Sequence, residues 1–197
     1  MRVGARRLVR TARRYGFNAP PTFAGERPST IPPAADIDST VALGSTAIGQ
    51  GRLLATPLQL ALVAHTVAAG GVRHQPSLVA DAPAVRPVRV TSPQVARSLE
   101  RMMVAVVRDG TGVRASLHPV RVAGKTGTAE LEDTTDSEQP GEVDEPPGYD
   151  TNAWFTAYAP VRHPVLAVAV LLVRGGAGGD IAAPAARDVL RSGLRRR

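Results

Sequence analysis

Cysteine is absent from the 197 residues, which excludes disulfides, thiolate zinc sites and a cysteine nucleophile, and suits an exported polypeptide. Lysine occurs once, at Lys125. A guanidinium does not lose its proton in a protein, so chemistry that needs a free amine has this single candidate among the side chains. Aromatic residues make up only 4% of the chain, so the core must be aliphatic with a few large anchors such as Trp154 and Phe155. Long apolar runs are missing too. The longest, Val165 to Val173, is about half of the roughly 18 residues a membrane span needs. The start, Met1 to Gly16, carries basic residues throughout and no apolar stretch of signal-peptide length, so a chain made of these residues alone is expected to stay in the cytoplasm.

Apolar residues make up 43% of the chain, enough for the core of one ordinary domain over 1–197. The formal charge is +7, and more than half of the acidic residues fall between Glu130 and Asp150, so the remainder is more basic still. Nucleic acid is nevertheless not expected. Arg6, Arg7, Arg13 and Arg14 are spread along one helix, and no groove-reading motif or aromatic-interleaved basic patch accompanies them. The terminal Arg195, Arg196 and Arg197 read as a frayed basic tail.

Val3, Leu8, Val9 and Ala12, with arginines between, predict an amphipathic helix from Val3 to Tyr15, stopped by Gly16. From Asn18 to Pro33 five prolines exclude regular structure and predict an extended surface segment. Gly49, Gln50 and Gly51 form a tight loop. Thr56 then caps a helix with Pro57 in its first turn, apolar on most sides from Leu58 to Ala69 and therefore buried, and ended by Gly70 and Gly71. His65 within it reads as a hydrogen-bonded core or boundary residue. His74, His118 and His163 show no metal-ligand spacing, and no metal is expected. Ser92 and Pro93 open a further helix whose Val95, Leu99, Met102, Met103 and Val106 recur at helical spacing before Gly110 and Gly112, the methionines as core filler.

After Val120 the period becomes that of strands. Val120 to Val122 leads into Lys125, Thr126, Gly127 and Thr128. A loop over 131–150 follows, acidic and predicted to be flexible, with a spacing that matches no calcium loop. Trp154, Thr156 and Tyr158 alternate with Phe155 and Ala157 in a strand from Ala153 to Ala159. Val165 to Val173, unbroken and aliphatic, predicts a central strand covered on both faces. A closing helix from Ile181 to Leu194 turns Ala182, Ala185, Val189 and Leu190 inward. The order predicts an α+β fold, an antiparallel sheet of three consecutive strands flanked by helices.

Lys125-Thr126-Gly127 is the one constellation that suggests chemistry. An ammonium and two hydroxyls beside a backbone left open at Gly127 suit a carboxylate or an acyl group held as an added strand. The same residues read equally well as a surface lysine on an edge strand.

Several blocks in order point further: Ile48-Gly49-Gln50-Gly51, Thr56-Pro57-Leu58-Gln59-Leu60-Ala61, Gly70-Gly71 with Pro76, Gly110-Thr111-Gly112, Gly124-Lys125-Thr126-Gly127-Thr128-Ala129-Glu130, Ala153-Trp154-Phe155 and Ala159-Pro160. Together they resemble class B penicillin-binding proteins, of the actinobacterial type that works in cell-wall elongation or division. The resemblance implies a partial transpeptidase, β-lactamase-like fold and a D,D-transpeptidase reaction. A serine attacks the penultimate D-alanine carbonyl of a peptidoglycan stem peptide, and the acyl group passes to an amine of a neighbouring strand; a β-lactam mimics the first step. It implies that Lys125 helps to hold the carboxylate and the protonation network, that Thr126 hydrogen-bonds that carboxylate, that Gly127 keeps the strand open and that the Thr128 N–H is one oxyanion donor. Trp154 and Phe155 are packing. No cofactor is implied; the expected partners are the stem peptide or a β-lactam and other cell-wall synthesis proteins.

The family's other two elements, Ser-x-x-Lys and Ser-x-Asn, do not occur. With Lys125 the sole lysine, the first is impossible; Ser29, Ser39, Ser45, Ser77 and Ser116 are read as turn and loop residues. Both motifs lie upstream in the family, so these residues correspond to the C-terminal half of the domain. The parent would be membrane-anchored and extracytoplasmic, and the 197 residues are expected to be inactive alone. Competing expectations are a non-catalytic binding or regulatory remnant and a piece of a serine β-lactamase or D,D-carboxypeptidase.

Overall fold

The structure, a computed structural model, describes residues 3–20, 23, 25–83, 85–130 and 151–195. The expected acidic loop at 131–150 lies outside the described residues. The chain gathers into two compact units, Met1–Glu100 and Arg101–Arg197.

In the first unit, helix α1 (Ala5–Tyr15) ends as its sequence requires. Gly16 adopts φ 112°, and its N–H reaches the carbonyls of Ala12 and Arg13. Val9 is buried, with Leu8 and Ala12 beside it, against Ile31 and Ile37. The proline-rich segment is more embedded than expected, because Asn18 pins it. Asn18 Nδ2 donates to the Ile31 carbonyl at 2.9 Å, and the Ile31 N–H donates back to Oδ1 at 2.9 Å. Ser29 and Ile31 are buried as a result. The short helix α2 (Thr40–Ala47) was not foreseen; Ser39 caps it through the Ala42 N–H at 3.0 Å.

Helix α3 (Pro57–Ala68) begins as predicted, with Thr56 Oγ1 accepting from the Gln59 N–H at 3.2 Å. Such a cap is worth about 1 kcal/mol. Its burial was overestimated. Gln59, Ala64, Thr66 and Val67 are buried, whereas Leu58, Leu60 and Leu62 are only half-covered. The two polar members compensate locally: Gln59 donates to the Tyr15 carbonyl at 2.8 Å and Thr66 to the Leu62 carbonyl at 2.7 Å. Strands β1 (Val72–Arg73) and β2 (Val88–Arg89) pair antiparallel beside it.

His65 is a boundary residue, but its hydrogen-bonding is not as expected. Its Nδ1 is buried without a partner, and its ring meets His74 edge-on with centroids 5.3 Å apart. Burial, and then the charge of His74, pushes the His65 pKa below the ordinary histidine value. The unfolded chain therefore binds the proton more readily, and stability present above about pH 6.5 is lost as pH falls towards the folded-state pKa. Thermal unfolding between pH 7.5 and 5.5 should show a fall in midpoint that His65→Gln reduces.

Helix α4 (Pro93–Arg108) starts where Ser92 and Pro93 place it; Ser92 Oγ accepts from the Val95 N–H at 3.3 Å. Its buried stripe is Ala96, Val104 and Val107, rotated from the expected one. Val95 is 48% and Met102 57% exposed, so Met102 is not core filler.

The second unit is built on three strands, β3 (Ala123–Glu130), β4 (Thr151–Ala159) and β5 (Leu166–Leu172), antiparallel in the order β3-β4-β5. Helix α5 (Ala182–Arg195) covers one face. Phe155 and Ala157 of β4 point into this layer and are fully buried with Ala182, Ala183, Ala186 and Leu190. Two expectations are corrected here. β5 is the outermost strand among the described residues and its residues are mostly half-covered, because an aliphatic run reports affinity for cover and not the presence of a neighbour. On α5 the inward stripe takes Ala183 and Ala186, while Ala185 is half-covered and Val189 is 54% exposed.

Candidate functional site

The register places the sequence-predicted residues together along β3. Lys125 lies opposite Thr156, Thr126 opposite Phe155, Gly127 opposite Trp154 and Thr128 opposite Ala153. Directly opposed residues share a face. Lys125 and Gly127 therefore lie on the Trp154 side, and Thr126 and Thr128 on the α5 side, as the period of two requires. Among the described residues β3 has a strand neighbour on one side only. Its other edge is the place where an extended ligand can add.

Lys125 is exposed, and its Nζ donates to the Thr126 carbonyl at 2.7 Å. The ammonium is thus held along the strand beside Thr126. The Thr126 hydroxyl, in turn, lies 2.7 Å from the hydroxyl of Thr111. Thr128 Oγ1 accepts from the Gly178 N–H at 3.4 Å. The ammonium is held by its own strand, and the two hydroxyls meet two other segments, the turn at Thr111 and the loop at Gly178.

The glycines explain why these elements approach so closely. A Cβ at Gly124 would meet the Phe155 ring at 2.5 Å, so this glycine serves the core and not a ligand. A Cβ at Gly127 would come within 3.1 Å of Trp154 Cβ. Gly178 lies against the backbone of Gly127 and Trp154, and Gly179 against the Thr111 carbonyl, so neither position admits a side chain. The loop from β5 to α5 thereby lies over the middle of the Lys125–Thr128 segment. Asp180 of that loop also pairs with Arg114 at 3.5 Å.

Thr111, Gly178 and Gly179 are the site residues that the sequence reading did not assign. The signal was present for one of them, since a hydroxyl flanked by Gly110 and Gly112 marks a constrained turn. Cavities with cationic side chains occur in the first unit, one of about 310 Å³ lined among others by Gln59, Arg73, His74 and Arg86 and another lined by Arg6, Arg10, Arg13 and Arg14. Among the described residues no group of three or more histidines and carboxylates is placed to hold a metal ion, and no helix is long and apolar enough to cross a membrane.

A family model of the penicillin binding protein transpeptidase domain matches residues 1–191. The peptidoglycan D,D-transpeptidase PbpA of Mycobacterium tuberculosis is 35% identical over 212 aligned positions, which cover 98% of this chain and 40% of that protein. Penicillin-binding protein A from M. tuberculosis, solved as an imipenem acyl-enzyme complex, superimposes with a TM-score of 0.76 at 35% identity, covering 96% of this chain and 42% of that one. The D,D-transpeptidase domain of a peptidoglycan glycosyltransferase from Eggerthella lenta gives 0.79 at 28% identity, over 98% and 48%. The chain spans about two fifths of the length of the curated relative it matches.

Proposed function

The chain belongs to the penicillin-binding protein transpeptidase family, and on that footing we propose that β3 is one wall of an acyl-transfer site for peptidoglycan stem peptides and β-lactams. The observation that carries this is that the Lys125 ammonium, held at the Thr126 carbonyl, and the Thr126 hydroxyl belong to consecutive residues of a strand that, among the described residues, has a strand neighbour on one side only. A carboxylate accepts from both; each such charge-assisted bond is stronger than a neutral one. Thr128 supplies its backbone N–H to the oxygen that becomes negative when the carbonyl is attacked. Gly127, without a side chain, lets the ligand backbone lie along the strand.

The reaction is attack on the penultimate D-alanine carbonyl, loss of the terminal D-alanine and transfer of the acyl group to an amine. The nucleophile is not among these 197 residues, because a Ser-x-x-Lys pair needs a second lysine. Residues 1–197 are then the C-terminal portion of one transpeptidase domain, and the serine and its base are contributed by other polypeptide. Alone, the chain recognises a carboxylate without cleaving anything.

The test is an amide-resolved NMR titration of the chain with penicillin G. Shifts confined to β3 and the turn around Thr111 are expected. Shifts centred on Arg73 and Arg86 would move the anion site to the first-unit cavity and refute the proposal, as would the absence of any shift at millimolar ligand.

A further inference from the structure

Thr126 and Thr111 each carry one hydroxyl proton, and their oxygens are 2.7 Å apart, so one of them donates to the other. An ionised carboxylate only accepts. If Thr126 spends its proton on Thr111, it has nothing to give the ligand. Resting on the reading of β3 as a carboxylate-binding strand, we propose that Thr111 is a positioning residue that donates its proton to Thr126 and leaves the Thr126 proton for the ligand carboxylate. A hydroxyl that accepts one hydrogen bond is a stronger donor of the next, so the pair acts as a two-step relay.

The placement of Thr111 is built into the fold. Helix α4 closes onto a turn in which the Gly110 and Gly112 N–H groups both reach the Val106 carbonyl, at 3.2 and 2.9 Å. A Cβ at Gly110 would stand 2.9 Å from Val106 Cα, and one at Gly112 3.0 Å from the Phe155 ring. From the other side Gly179 is pressed against the Thr111 carbonyl. The Arg114–Asp180 pair ties the residues just beyond the turn to the loop that carries Gly179. Thr111 is thus held at its backbone from two directions while its hydroxyl stays exposed beside the hydroxyl of Thr126.

A bond that only closed the turn onto the strand would affect acid and ester alike, whereas a relay acts on the acid alone. Dissociation constants of penicillin G and of its uncharged methyl ester are measured by NMR titration of the full 197-residue chain as wild type, Thr111→Val, Thr111→Ser, Thr126→Val and the Thr111→Val/Thr126→Val double variant. Thermal midpoints and amide spectra check folding. The relay predicts that Thr111→Val weakens the acid about three- to tenfold and leaves the ester within twofold. Thr111→Ser restores the wild-type value, and the double variant binds no more weakly than Thr126→Val alone.

Equal loss of acid and ester, unchanged acid binding, or fully additive losses would each overturn the relay while leaving the strand reading intact. If the wild type shows no preference for the acid, or Thr126→Val leaves it unchanged, the strand reading itself fails and the relay with it.

Discussion

Replacing Lys125 by alanine is expected to slow acylation by penicillin G about ten- to a hundredfold in a chimera that joins this chain to the part of M. tuberculosis PbpA it does not span. The reason is charge. Lys125 is the only lysine, its ammonium stands at the Thr126 carbonyl, and among the described residues β3 has a strand neighbour on one side only, which leaves the other edge for the proposed ligand carboxylate. A hydrogen bond to a charged group contributes about 1.5–3 kcal/mol where water is excluded. In the chain by itself Lys125 is exposed, solvent screens it, and the loss in affinity should be smaller. Stability should not change, because the side chain buries no apolar surface that the core needs. Lys125→Arg should not restore the rate, since a planar guanidinium on a longer stem presents its donors in a different geometry. A drop in thermal midpoint that tracks the drop in rate would assign Lys125 a structural role.

The second large effect is on folding. Phe155→Ala should cost about 3–5 kcal/mol, lowering the thermal midpoint of the transition that reports the second unit by 12 °C or more. Phe155 is fully buried at the centre of the layer between the sheet and α5. Its ring fills the spaces that Gly124 and Gly112 leave open. Removing it leaves a cavity bordered by Gly124 and Gly112, neither of which has a side chain to fill it. Because Phe155 is paired with Thr126 across the ladder, the same variant should loosen the Thr111–Thr126 contact and blunt the preference for a carboxylate. A cost below 1 kcal/mol would mean that the core lies elsewhere.

What the sequence revealed of this fold follows the range of the interactions involved. Period and punctuation are local, so the ends of α1, α3 and α4 and the alternation of β4 were legible from Gly16, Thr56, Pro57, Ser92 and Trp154 to Tyr158. The pairing of three successive strands was legible too, because short connections between alternating segments leave few other arrangements. Errors arose where burial depends on what stands opposite. The apolar run of β5 looked central yet stands at an edge of the sheet among the described residues, and the stripes of α4 and α5 were rotated, leaving Met102 and Val189 exposed. Helix α2 has almost no amphipathic pattern and gave no periodic signal. At the site, Lys125 to Thr128 stood out as contiguous residues. Thr111 and Gly178 did not, since they meet β3 across 15 and 50 residues of chain, and only the folded sheet brings them there.

With the proposed acyl-binding wall in this chain and the nucleophile outside its 197 residues, intact-mass spectrometry after incubation with penicillin G reads both at once. The chain alone should keep its mass, and the chimera carrying the remainder of M. tuberculosis PbpA should gain one penicilloyl group. A stoichiometric adduct on the 197 residues alone, or a folded chimera that stays unmodified, would contradict it.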